Sequence, residues 1–246
     1  MKLTSVVIPA YNEVERIRGT VSEVLAYFDE RLLQCEVIVA ADGDDGTREA
    51  VREMSLSRTD VRVMGSERRC GKGHGIREAV AAAAGDVIGF VDADNKTPIT
   101  EFKKFEPWLR DGYDVVIGSR AMPESLIEQA QPFYRRCGSR AFSVFMHACV
   151  GLHDITDTQC GFKFFRGDVA RDLFQRQHID GYMFDVEVLY LAQQIGYRIA
   201  QVPVRWRDDA DSRLDLVLGN LRNGLDILSI RWRHRSLADT RPVEVR

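Results

Sequence analysis

Apolar runs of strand length that each stop at a polar cluster constrain this chain more than any other feature. LTSVVIPA (3–10), CEVIVAA (35–41), VRVMG (61–65) and DVIGFVDAD (86–94) carry Val and Ile in the pattern of buried strands. Between them lie EVERIRGTVSEVLAYF (13–28), GTREAVREM (46–54) and GKGHGIREAVAAAAG (71–85), with apolar residues at helical spacing. Strand and helix in alternation predict an α/β fold, with a mostly parallel central sheet flanked by helices. Such sheets bind ligands beyond the carboxyl ends of their strands. The polar clusters fall there: YNE (11–13) after the first run, DGDDGT (42–47) after the second and DADNKT (92–97) after the fourth.

The second half is less regular. YDVVIGSR (113–120) reads as a strand, AMPESLIEQAQP (121–132) as a loop and RRCGSRAFSVFMHACVGL (135–152) as a helix. TDTQCGFKFFRGD (156–168) reads as loop and strand, FDVEVLYLAQQIG (184–196) as a helix and YRIAQVPVRW (197–206) as a strand. An amphipathic C-terminal helix is expected over 213–235, in RLDLVLGNLRNGLDILSIRWRHR. No repeat, low-complexity tract or linker interrupts the pattern, so a single domain over 1–246 is expected.

Within IGFVDADNKTP (88–98), Asp92 and Asp94 stand at i and i+2. On an extended chain that spacing turns both carboxylates to one side. Like charges side by side repel, and a divalent cation relieves the repulsion. Asp is also common in turns after strands, so the motif alone leaves a metal site and a turn cap both open. Other phosphate and metal motifs fail on spacing. A dinucleotide fingerprint would need G-x-G-x-x-G where PAYNEVERI stands, and ERRCGKGHG lacks the early glycine and the Ser/Thr of a P-loop. Neither aspartate run has the glycine and late glutamate of a calcium-binding hand.

Composition removes further classes. A net charge of −3 does not suit a protein that binds nucleic acid over its whole surface. Five scattered cysteines without C-x-x-C spacing point to reduced thiols rather than zinc or disulfides. MKLTSVVIPA is too short an apolar run for a signal peptide, no N-terminal anchor helix is expected, and no window is apolar enough to span a bilayer.

IPAYNE, DGDDGT and VDADN at three strand ends, followed by VIGSR, DTQCGFKFF, FDVEVLYLA and VPVRW…SRL, together resemble the family-2 glycosyltransferases of GT-A fold. They are most similar to the branch that contains dolichyl-phosphate β-glucosyltransferase and dolichol-phosphate mannose synthase. The similarity runs from about Leu3 to about Arg235. It implies a nucleotide-sugar-binding half over about 1–118, an acceptor half over about 119–212 and the amphipathic helix over about 213–235. It also implies an inverting transfer of a sugar from a nucleotide-diphosphate donor to a polyprenyl phosphate, with Mg²⁺ or Mn²⁺ as cofactor.

By the same resemblance, Asp94 holds the metal, with Asp92 bridging metal or ribose, and Asp92, Asp94 and Arg120 are the catalytic set. Pro9, Ala10, Tyr11 and Glu13 match donor contacts, as do Lys72, Ala93 and Arg213, while Asp42 would take a donor-base contact only through a shifted turn. Arg120, Arg135 and Ser139 match acceptor-phosphate contacts, with Arg136 and Arg140 competing for the role of Arg135. Each has a plainer reading: most arginines are solvated surface charges, Asn12 and Glu13 suit a helix start, and Lys72 suits a surface. Glu187 is either a carboxylate facing the site or a buried structural one, and Gln159 and Cys160 are expected to be structural.

One departure concerns the second strand. Ala40 and Ala41 stand where the family carries paired aspartates, and Asp42 follows one position later, so the nucleotide base is left open. UDP-glucose is the first donor expected, with GDP-mannose and UDP-N-acetylglucosamine as alternatives. A non-lipid acceptor and a nucleotide-sugar-binding regulatory role are the rival readings. A polyprenol tail keeps to the bilayer, because each buried CH₂ is worth about 0.8 kcal/mol. The protein is therefore expected to be cytoplasmic and peripheral on the membrane face. Phe142, Val144, Phe145, Met146 and Val150, or the last helix with Arg222 and Arg231-Trp232-Arg233, would make the contact.

Overall fold

The computed structural model describes residues 3–128, 146, 148–207 and 218–235, with side chains from 222 onward in the last segment. Arg135, Arg136, Ser139, Arg140, Arg213 and Phe142, Val144 and Phe145 lie outside the described residues, and the other two members of that apolar stretch, Met146 and Val150, are buried in the core rather than turned to a membrane.

The strands are β1 (Leu3–Tyr11), β2 (Gln34–Asp42), β3 (Val61–Met64), β4 (Val87–Val91), β5 (Val115–Ser119), β6 (Leu126–Ile127), β7 (Phe162–Arg166), β8 (Ile199–Pro203) and β9 (Arg205–Trp206). The helices are α1 (Val14–Glu30), α2 (Thr47–Ser55), α3 (Lys72–Ala82), α4 (Glu106–Arg110), α5 (Gly167–Arg176), α6 (Phe184–Ile195) and α7 (Leu218–Arg233), with a 3₁₀ turn at Ile99–Lys104. Seven strands form one sheet in the order β3-β2-β1-β4-β7-β5-β8. Only β7 runs against its neighbours, pairing antiparallel with β4 and β5. The two halves of the chain therefore share one sheet, and the parallel strands β1, β2 and β4 end along one edge.

Period-two alternation divides the core between the sheet's faces. Val7, Ile88 and Phe90 pack toward α3, α5, α6 and the inner side of α7. Val6, Ile8, Val87 and Val91 pack toward α1, α2 and α4. On this second face Phe164 is fully buried, with its ring centroid 4.5 Å from Phe102 and 5.2 Å from Phe162. Gly89 on β4 makes room for that ring, since a Cβ there would lie 2.1 Å from a Phe164 ring carbon.

The sequence expectations hold for the alternating first half and shift elsewhere. Part of the expected loop 121–132 is β6, which pairs with β9. The expected strand 197–206 is two strands in two sheets: β8 ends at Pro203, and the Val204 N–H turns to the Ser119 carbonyl. Helix α5 was not anticipated, although Val169, Ala170, Leu173 and Phe174 form a buried apolar stripe at helical spacing. Asp92 and Asp94 stand past β4 in a turn closed by Asn95 N–H to Asp92 C=O at 3.0 Å. The extended-chain reason for their sharing a side therefore does not apply, and the turn brings them together instead. Asn12 does not cap α1 either. Its side chain accepts the Asp44 N–H, and Asp45 accepts the Val14 N–H at 2.9 Å.

Removing the Phe164 ring opens a cavity in a close-packed core, so Phe164→Ala loses about 3–5 kcal/mol of stability. Gly89→Ala overpacks the same place and loses about 1–3 kcal/mol. Urea midpoints with unchanged slopes test both.

Candidate active site

The polar edge is assembled from strand-end loops, beginning with the loop after β2. Arg48 on α2 donates to the Ala41, Gly43 and Ser66 carbonyls, tying the loops after β2 and β3 together. Both Asp42 carboxylate oxygens accept backbone N–H groups of that second loop, from Ser66 at 3.3 Å and Cys70 at 2.7 Å. Asp42 thus shapes the wall of the candidate donor site, and neither oxygen is left without a donor. The Arg69 guanidinium, on the same loop, lies 4.5 Å from the centre of the Tyr11 ring and donates to the Tyr182 hydroxyl. Pro9, Ala10 and Tyr11 close β1 beside Ala40, Ala41 and Asp42. Glu13 donates its N–H to Thr47 and pairs with Arg16, which fits a helix-start role.

The centre of the edge is Asp92. Its Oδ1 accepts Lys72 Nζ at 2.6 Å, from the first turn of α3. Its Oδ2 lies where Gly161 has no side chain: a Cβ on Gly161 would sit 1.9 Å from that oxygen. Burial opposes the charge on Lys72, yet Asp92, Asp185 and Asp94 together hold its ammonium above the ordinary lysine range. Asp94 is raised, by burial first and then by the Asp92 charge, against the opposing pull of Lys96. Lys96 Nζ lies 3.4 Å from Asp94 Oδ2. Ala93 is buried, and its carbonyl accepts the Thr20 hydroxyl at 2.7 Å, fixing the turn that carries both carboxylates.

Arg120 follows β5 and is held as a fork by Asp157, with Nε at 2.7 Å and Nη2 at 2.9 Å, plus its own backbone N–H at 3.0 Å. Burial opposes its charge, but Asp157 raises the guanidinium above its usual range. Burial likewise works against the Asp157 carboxylate, and Arg120 holds it below its usual range. The Asp92 carboxylate also acts on Arg120, so acid pair and arginine belong to one electrostatic cluster. Arg120 keeps N–H donors that Asp157 does not use, as an anion-binding fork requires. Its other neighbour is Trp206, with the guanidinium 5.4 Å from the ring centre and Lys96 at 5.9 Å from the same ring.

Of the two readings of Glu187 in FDVE, the buried structural one holds. Asp185 turns toward the site and pairs with buried Lys163 at 2.6 Å. Burial raises the Asp185 carboxyl, while Lys163 and Lys72 pull it back. Glu187 is fully buried and structural: it accepts the His178 and Ile179 N–H groups and meets His234 Nε2 at 2.7 Å. His178, Glu187 and His234 bring their ligand atoms within 4.8 Å of one another. Glu187 is already satisfied there by two N–H groups and an imidazole. Cys160 is buried, and its thiol is pushed up to about 12 chiefly by burial.

Asp157, Gly161, Lys163, Asp185, Lys96 and Trp206 were not picked out by sequence. TDTQCG carried the signal for Gly161, since a glycine beside a strand end marks close approach. The carboxylate oxygens of Asp92 and Asp94, like charges near one another at a strand-end turn, suit a hard divalent cation.

Residues 5–174 match Glycosyl transferase family 2. The chain belongs to that family. It is 33% identical to the human dolichyl-phosphate beta-glucosyltransferase over 95% of this chain and 76% of the relative. It is 32% identical to the dolichyl-phosphate beta-glucosyltransferase ALG5C of Trichomonas vaginalis, over 96% of this chain and 75% of the relative. In fold it matches the glucosyl-3-phosphoglycerate synthase of Mycobacterium tuberculosis, solved with Mn²⁺, UDP and phosphoglyceric acid. That match has a TM-score of 0.66 at 22% identity, over 94% of this chain and 78% of that one. The fold is therefore the GT-A glycosyltransferase fold.

The Arg120–Asp157 pair has a pH signature. With its folded pKa depressed, Asp157 contributes stability above the ordinary Asp value of about 3.9, and loses it as pH falls through the folded value. The stability difference between wild type and Asp157→Asn is therefore flat near neutrality and shrinks in acid. Chemical denaturation from pH 7 down to pH 3 checks the sign.

Proposed function

We propose that this glycosyltransferase is metal-dependent and inverting, and that it moves glucose from UDP-glucose to a polyprenyl phosphate of dolichyl type at a membrane surface. The observation that carries the reading is the single electrostatic cluster of Asp92, Asp94, Lys72 and Arg120. Two anionic substrates have to be brought together there, and cations on both sides of an acid pair suit that task. The relatives' names support glucose as the sugar and dolichyl phosphate as the acceptor. A divalent cation held by Asp94 and Asp92 would stabilise the charge that develops on the departing diphosphate.

The chain's own residues account for the rest. Lys72 reaches the same edge as Asp92 and suits the diphosphate. Tyr11, backed by Arg69, offers a ring for the base, and Asp42 holds the wall beside it. Arg120, with its fork set by Asp157 and its face against Trp206, suits the acceptor phosphate. That phosphate is already an anion, so the attack needs no side chain to remove a proton. With UDP-glucose and a short polyprenyl phosphate, transfer is expected only with Mn²⁺ or Mg²⁺. Asp94→Ala is expected to lower turnover by about 100-fold or more. Full activity in chelator, or in that variant, overturns the metal reading.

Among the described residues no helix is long and apolar enough to cross a membrane. Helix α7 has two apolar faces instead. Ile227 and Ile230 are buried against the core, whereas Leu225, Leu228 and Trp232 are 62%, 57% and 68% exposed. Exposed Arg222, Arg231, Arg233 and Arg235 flank them. An outward apolar stripe bordered by arginines suits an anionic lipid surface. Replacing Leu225, Leu228 and Trp232 together by Ser is expected to abolish cosedimentation with phosphatidylserine vesicles and to leave the melting temperature within a few degrees. Unchanged cosedimentation removes α7 from the membrane contact.

A further inference from the structure

Four charge pairs stand at the sheet's edge among the described residues. Lys72 meets Asp92 at 2.6 Å, Lys96 meets Asp94 at 3.4 Å, Arg120 meets Asp157 at 2.7 Å and Lys163 meets Asp185 at 2.6 Å. Four carboxylates face four cations in these pairs, so the set is neutral as it stands. Asp157 and Asp185, both with little-exposed side chains, hold their partners in place. Lys72 and Lys96 differ, because each sits against one of the two carboxylates assigned to the metal. Both lysine side chains are largely covered, 20% and 15% exposed, so solvent screens them poorly.

A divalent cation arriving alone must break or crowd these pairs and leave an excess of positive charge in a half-buried site. A cation arriving with a nucleoside diphosphate does not. The ammonium groups can pass from carboxylate to phosphate oxygens, for which a flexible point charge is suited. The diphosphate's charge offsets the metal's, so no excess of positive charge is left in the site.

We infer that Lys72 and Lys96 are displaceable counter-ions of Asp92 and Asp94, so that the divalent cation binds this chain weakly alone and tightly only together with a nucleoside diphosphate. The inference rests on the metal assignment proposed above and adds that the two affinities are linked. Linkage is reciprocal, so the metal tightens the nucleotide by the same factor.

Titration of the full chain with Mn²⁺, followed by electron paramagnetic resonance of the free ion, tests this with and without UDP. Wild type is expected to bind Mn²⁺ about tenfold or more tightly with UDP than without it. Lys96→Met and, independently, Lys72→Met are each expected to tighten Mn²⁺ binding without UDP by about tenfold, because a positive charge close to the ion is gone. Each variant should narrow the gap between the two conditions. Equal wild-type affinity in both conditions overturns the inference and leaves the metal assignment standing. So does an unchanged or weaker free-ion affinity in both variants. No saturable Mn²⁺ binding even with UDP, or wild-type binding by Asp94→Asn, overturns the metal assignment instead.

Discussion

Like charge gathered at one edge of a sheet is the constraint on which the rest of this molecule depends. Parallel strands that end together bring their terminal carboxylates together. Each carboxylate left in a half-buried place must meet a cation or a set of N–H donors. This chain supplies a different partner for each. Asp42 takes backbone N–H groups, Asp92 a lysine from the next helix, Asp157 a guanidinium, and Asp185 a buried ammonium. The loops are positioned by these pairings, and the loops carry the candidate site residues.

Helix α6 joins this edge to the outer surface. Asp185 in its first turn belongs to the charged set, and two residues on, Glu187 ties the α5–α6 loop and His234 beyond α7 to the same helix. The apolar stripe of α7 is thus anchored through one buried carboxylate to the element that supports the site. A packed helix holds that stripe in a more fixed relation to the candidate site than a loop would.

The alternating half of the fold was legible because buried parallel strands and amphipathic helices leave distinct periodicities, and each strand end was marked by a polar cluster. Asp92, Asp94, Lys72 and Arg120 were found by motif, and the structure brings them to one place. What escaped were partners defined by contact across the chain. Asp157 lies 37 residues from Arg120, and Gly161 reaches Asp92 only because β7 runs antiparallel beside β4. Glu187 kept two readings and Asp185 none, because a helix turns successive residues to different faces, and the motif alone does not say which face meets the sheet. The split of 197–206 into two strands followed from a proline-bounded switch between sheets, which an unbroken alternating pattern conceals.

Anomalous diffraction from crystals grown with Mn²⁺ and UDP tests the central claim most directly. An ion peak within about 2.5 Å of an Asp94 carboxylate oxygen, with Asp92 facing the same ion or the ribose beside it, is the predicted result. A peak at His178, Glu187 and His234 with none beside Asp94, or diphosphate bound at the sheet edge with no ion, contradicts it.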